Sequence, residues 1–125
     1  MKRYEILELR GKRFALALTI HTQIELEEKF GKDFDLNKIL YQEERKEIYK
    51  NTLFMLHLMA EDGAAYARIF EGKEFDSLTE EEYGLFVKLA DINEIREAIV
   101  SAALLGYKRD IELEENEKNV EAPGE

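Results

Sequence analysis

Apolar and charged positions alternate along Tyr4-Glu5-Ile6-Leu7-Glu8-Leu9, and a second apolar-rich stretch runs along Arg13-Phe14-Ala15-Leu16-Ala17-Leu18. Two strand-like stretches around Gly11-Lys12 predict a β-hairpin, the glycine leading a two-residue loop with the positive φ of a type II′ turn. In the second strand large Phe14, Leu16 and Leu18 alternate with small Ala15 and Ala17. One face then packs on helices while the other stays thin.

The spacing next changes to that of a helix. Ile20, Ile24, Leu26 and Phe30 recur at helical intervals, Glu25 and Lys29 stand four apart, and Gly31 occupies a C-cap position, which predicts a first helix of about ten residues. Asp33 or Asp35 can cap a short turn carrying Leu36, Ile39 and Leu40. The charged stretch Gln42 to Lys46 opens the longest helical segment. There Ile48, Thr52, Met55, Leu56 and Met59 form one stripe, widened by Leu53, Phe54 and Leu58. A helix apolar nearly all round belongs at the centre of a fold. Gly63 is expected to break or kink it, with Ala64 to Phe70 resuming before Gly72.

Thr79-Glu80-Glu81-Glu82 has the form of a capping box, predicting a helix through Tyr83, Phe86, Val87 and Ala90. Asp91 offers a further cap, and Ile92, Ile95, Ile99, Ala102 and Ala103 mark an apolar face that Gly106 should stop. The predicted fold is mainly α: an N-terminal β-hairpin followed by a bundle of four or more helices over residues 1 to 107. Residues 108 to 125, acidic and polar, are expected to form a disordered tail. No internal repeat is visible.

Composition narrows the function. A chain of 125 residues fits one domain and can fold without staples. It has no cysteine, so thiol chemistry and disulfides are excluded and a reducing compartment is suited. Neither the charged start nor the run Leu53 to Ala60, interrupted by His57, reads as a signal peptide or a span of ~20 apolar residues. The expectation is no membrane. With 28 acidic against 18 basic residues and a net charge of -10, nucleic acid is an unsuitable partner, because such binding needs cations that displace counterions. Residues 1 to 13 are nevertheless basic, with Lys2, Arg3, Arg10, Lys12 and Arg13 against Glu5 and Glu8. Self-association between a basic head and an acidic tail is one use of that asymmetry.

Candidate chemistry is sparse. Each histidine has a glutamate four residues on, His21 with Glu25 and His57 with Glu61, and such pairs share a helix face as metal ligands do. Glutamate is so frequent here that the coincidence carries little, and a histidine in the most apolar helix reads better as a core residue. The acidic run at 80 to 82 is explained by the helix dipole rather than by acid-base catalysis. There is no phosphate loop, nucleophile elbow or dinucleotide fingerprint. No catalytic residue, metal or cofactor is assigned. What stands out is large apolar content: Phe54, Met55, Leu58, Met59, Tyr66, Phe70, Tyr83 and Phe86. Any one reads most simply as core, but as a set of methionine and aromatic side chains they form the expected partner-binding surface.

Taken in order, several elements resemble the tail assembly chaperones of long-tailed phages and prophages. They are the hairpin around Gly11-Lys12, the run Thr22-Gln23-Ile24-Glu25-Leu26-Glu27-Glu28-Lys29-Phe30-Gly31, the helix Leu53 to Ala60, Leu78-Thr79-Glu80-Glu81-Glu82, and Glu94-Ile95-Arg96-Glu97-Ala98-Ile99. The likeness spans about residues 4 to 118 and rests on the order of short elements, without an invariant signature. It implies a non-enzymatic protein of the host cytoplasm that keeps the tape measure protein soluble and helps tail tube protein polymerise around it. In many relatives a frameshift appends a second domain, and the short acidic end here corresponds to the unextended form. An amphipathic helix of the tape measure protein would lie in an apolar groove, which residues 44 to 62 and 79 to 90 are expected to wall. Two rivals are an acidic protein-binding or DNA-mimic regulator and a metal-dependent enzyme using His21, His57, Glu25 and Glu61. Interspersed cations such as Lys29 and Lys32 interrupt the negative track that the first needs.

Overall fold

The computed structural model describes residues 2 to 108. It is mainly helical behind an N-terminal hairpin, as the pattern predicts. Strands β1 (Glu5–Leu9) and β2 (Lys12–Leu16) pair antiparallel with Leu7 opposite Phe14 and Leu9 opposite Lys12. That register makes Arg10-Gly11, rather than Gly11-Lys12, the two-residue turn. Both its residues have positive φ, 47° and 84°, which is the signature of type I′ and corrects the expected type II′.

Helices follow as α1 (Ile20–Phe30), α2 (Arg45–Tyr66), α3 (Glu80–Phe86) and α4 (Ile92–Tyr107). A π-helical turn, Lys38–Gln42, precedes α2, another, Ala67–Glu71, extends it, and a 3-10 turn, Leu89–Asp91, precedes α4. Asp35 receives the Lys38 N–H at 3.2 Å and so caps the first of these. Thr19 caps α1 by a reciprocal exchange with Thr22, and Gly31 ends it at φ 91°.

α2 is central, as its all-round apolar content requires: it touches β2, α1, α3, α4 and both π-helical turns. Met55, Leu56 and Met59 are fully buried beside Phe14, Leu16, Leu26, Leu40, Ile95 and Ile99. The few polar groups taken into this core are satisfied locally, Asn51 donating to the Ile39 carbonyl at 2.9 Å and Thr52 to that of Ile48 at 2.7 Å. The thin face of β2 carries a second, smaller cluster of Tyr4, Ala15, Ala17 and Ala67, with Tyr66 and Phe75 against it.

Gly63 does not break α2, which runs on to Tyr66. A Cβ there would stand 1.8 Å from the Ala15 carbonyl oxygen, so the glycine is what lets helix and strand touch backbone to backbone. The Ala17 N–H beside it donates to the Met59 carbonyl at 3.1 Å. Gly106 is the next-to-last residue of α4, which ends at Tyr107, and a Cβ there would meet the Leu18 oxygen at 2.4 Å. In both places a residue read as punctuation serves close packing.

Three further expectations are corrected. Ile20 and Ile24 point to solvent, 79% and 51% exposed, while α1 buries Thr22 and Leu26. α3 stops at Phe86, with Val87 extended and Ala90 in the 3-10 turn. Asp91 does not cap α4 with its side chain. It accepts the Lys88 N–H at 2.8 Å and an Arg10 ion pair at 2.9 Å, and that N–H, then Arg10, hold its carboxyl below the usual range. The tail expected from residue 108 onward lies almost wholly outside the described residues.

Candidate functional site

The eight residues expected to meet a partner divide sharply. Met55, Met59 and Tyr83 are fully buried and Leu58 nearly so, which removes them from any surface and corrects that part of the expectation. The reason is the central position of α2: its stripe faces β2, α4 and α3 at once. Tyr83 inserts from α3 into this core, 5.4 Å from the Phe14 ring, and burial raises its phenol to about 12. Its oxygen accepts the Leu78 N–H at 3.4 Å.

Phe54 and Phe86 are half-buried beneath cations. Phe54 packs edge-on to Phe30 under Lys29, 4.7 Å from the ring centre. Phe86 is covered by Arg10 at 4.5 Å, whose guanidinium also donates to the Phe86 carbonyl at 2.6 Å. Tyr66 and Phe70 stay together, 5.1 Å apart, with Phe70 71% exposed.

A groove does lie between α2 and α3, as the helix order suggested, but other side chains wall it. Tyr49 and Leu53 of α2 face Gly84, Val87, Lys88, Leu89 and Ile92 across a largely apolar cleft of about 170 Å³. It shares Leu53 with a wider, polar recess of about 590 Å³ lined by Lys29, Glu47, Lys50, Glu80 and Glu81. Leu89 of the 3-10 turn, 76% accessible, lines the cleft, and Leu85 of α3 is 83% accessible. The capping box at Thr79 sets this wall: Thr79 accepts the Glu82 N–H at 3.1 Å and Glu82 accepts the Thr79 N–H at 2.8 Å.

Leu85 was legible in principle. It lies two residues from buried Tyr83, and on a helix that offset places a side chain on the opposite face. A helix of seven residues has one face to bury, and Tyr83 takes it, so its leucine is left outside.

At the other end of α2 and α4 a second cavity, about 360 Å³, is lined by Ala17, Leu18, Tyr66, Phe70 and Leu105. Its charged lining residues, Arg3 and Lys108, are both cationic. Nearby, the Tyr107 hydroxyl donates to Gln23 at 2.7 Å, bringing the outward face of α1 to the end of α4.

The histidines are not brought together. His21 Nδ1 lies 2.9 Å from Asp62, which also accepts from Thr22 at 2.6 Å, and that hydrogen bond and the carboxylate charge raise the imidazole above its ordinary value. His57 instead faces Glu61 at 3.4 Å and the Tyr83 ring. Among the described residues no three His, Asp or Glu side chains are placed to share a metal ion, and no helix is long and apolar enough to cross a membrane. Compared with models of protein families, with curated proteins and with solved structures, the chain matches none.

Proposed function

We propose that this chain is a non-enzymatic tail assembly chaperone of the host cytoplasm that holds a helical segment of a tape measure protein while tail tube protein assembles on it. The observation that carries the reading is the largely apolar groove between α2 and α3, with exposed Leu89 in its lining. A groove of this kind suits the apolar stripe of an amphipathic helix, read through anchors at helical spacing. Singly exposed leucines are ordinary on protein surfaces, but one that lines an apolar cleft extends the apolar area a partner meets.

The test is co-expression with a candidate tape measure protein, a long helical chain, followed by pull-down at low and high salt. Contacts between exposed charges weaken as the Debye length falls from ~10 Å at about 0.1 M to ~3 Å at about 1 M, whereas apolar burial persists. The complex is expected to survive high salt and to be lost in Leu85→Ser/Leu89→Ser with circular dichroism unchanged. A complex that dissolves in salt and tolerates both changes would transfer the binding role to the acidic surface.

A further inference from the structure

We propose that the α2–α3 groove selects its occupant by charge as well as by apolar area: the helical segment it holds carries a basic residue on one side of its apolar anchors and an acidic residue on the other. The inference rests on the client reading above and specifies the chemistry of the client.

Leu53 is the pivot, because it lines both the cleft and the polar recess, and a helix lying over it meets the two in succession. Gly84 faces it from α3 and covers it with no side chain. The chain places opposite charges on either side of that glycine: Glu80 and Glu81, about one turn before it, line the recess, and Lys88, beyond the end of α3, lines the cleft. All three side chains are exposed.

The other charges nearby do not cancel this contrast. Lys50 pairs with Glu47 at 3.9 Å and Lys29 lies over the Phe54 ring at 4.7 Å, and even with both lysines counted the carboxylates lining the recess outnumber the cations. In the cleft Lys88 is the charged lining residue, and Asp91, which follows it in the 3-10 turn, is taken by Arg10 at 2.9 Å. Among the described residues Glu80, Glu81 and Lys88 make no ion pair.

Helical rise along α3 and the extended residues after it put the two charges roughly 10–15 Å apart, at about 1.5 and 3.3 Å per residue. A client helix spans that with charged residues about seven positions apart, which keeps both on the face of its apolar anchors. Apolar burial then holds the helix, and the charges set its register and direction.

Fluorescence anisotropy with the full chain and three synthetic helical peptides tests this. The peptides share a leucine stripe and differ in the two residues that flank it, about seven positions apart: Lys and Glu, Lys and Lys, or Glu and Glu. At low salt the Lys/Glu peptide should bind about two- to five-fold tighter than either other, the scale of an exposed ion pair, and at ~1 M salt all three should bind alike. Lys88→Glu should move the preference to the Lys/Lys peptide, and the milder Lys88→Gln should shift it the same way by less, with circular dichroism unchanged in both. The net charge of -10 works against the expected order, since general attraction favours the Lys/Lys peptide.

A wild-type chain that binds the Lys/Lys peptide tightest, or all three equally at low salt, overturns the charge selection and leaves the client reading standing. Lys88 variants that keep the wild-type order overturn it as well. Peptides that bind in no charge form overturn the client reading itself.

Discussion

Two glycines on helices show how differently the two sides of α2 are built. Gly63, on α2 itself, faces the hairpin, where an added methyl group would sit inside the Ala15 carbonyl. Gly84, on α3, faces α2 across the groove, and a methyl group there would meet nothing nearer than the Leu53 Cδ1 atom at 3.9 Å. The hairpin side is closed to backbone contact, with a helix–strand distance set by the absence of a side chain. The α3 side is held apart and keeps an apolar cleft. A single helix thus separates a side packed to backbone contact from a side that keeps a cleft.

Gly63→Ala should give the largest effect. Overpacking typically costs about 1–3 kcal/mol, and a clash with backbone cannot be relieved by a rotamer change, so a loss of about 3 kcal/mol or more is expected in urea denaturation. A loss below about 1 kcal/mol would mean that helix and strand part easily, and the contrast between the two sides would fail.

The hairpin, the four helices and the central position of α2 were legible because period and capping chemistry are local. The capping box at Thr79 and the buried face Ile92, Ile95, Ile99, Ala102 and Ala103 were both readable in this way. What escaped was set by distant chain. The role of Gly63 depends on Ala15, that of Gly106 on Leu18, and that of Asp91 on Arg10. The outward turn of Ile20 and Ile24 follows because α1 is anchored through Thr22 and Leu26. The groove was expected between the right helices but assigned the wrong side chains. Methionine and aromatic content marks adaptable apolar surface without distinguishing the core from the rim, and in this chain the core claims most of it.

Thr79→Ala comes next in size. Removing the hydroxyl takes away an N-cap bond, for which about 1 kcal/mol is typical, and frees Glu82 from its reciprocal contact. In a helix of seven residues this loosens the groove wall. Faster hydrogen exchange confined to the amides of Tyr83 to Phe86, with weaker client binding, is expected. Loosening that spreads to α2 would show that the two sides are not separable.

Gly84→Ala should have the opposite sign. Alanine favours a helix over glycine by roughly 0.5–1 kcal/mol, and the space beside Leu53 accepts the methyl group. A slightly higher melting temperature is expected, together with a several-fold loss of client affinity as the methyl group narrows the groove. If the substitution destabilises the protein, α3 is packed as closely as the hairpin and the open side is not open.

The smallest effect probes what holds the closed side besides backbone contact. Asp62, the residue before Gly63, ties α2 to the start of α1 through His21 and Thr22. The His21 imidazole is raised by its hydrogen bond and charge interaction with Asp62, so its protonated form binds better in the folded protein than in the unfolded chain. Its contribution is therefore complete below the ordinary histidine value of ~6.5 and disappears as pH rises through the higher folded value. Glutamine can still donate to Asp62 but carries no charge, so the stability gap between wild type and His21→Gln isolates this effect. It should be larger at pH ~6 than at pH ~9, a window in which carboxylates stay ionised. With the histidine side chain 59% exposed, solvent screening limits the gap to a few tenths of a kcal/mol, about the scale of an exposed ion pair, and added salt should shrink it. Thermal melts across that pH range, with Asp62→Asn as the partner control, measure it. A large loss in His21→Gln at every pH would mean that the anchoring of α1, and not the contact at Gly63, keeps α2 against the hairpin.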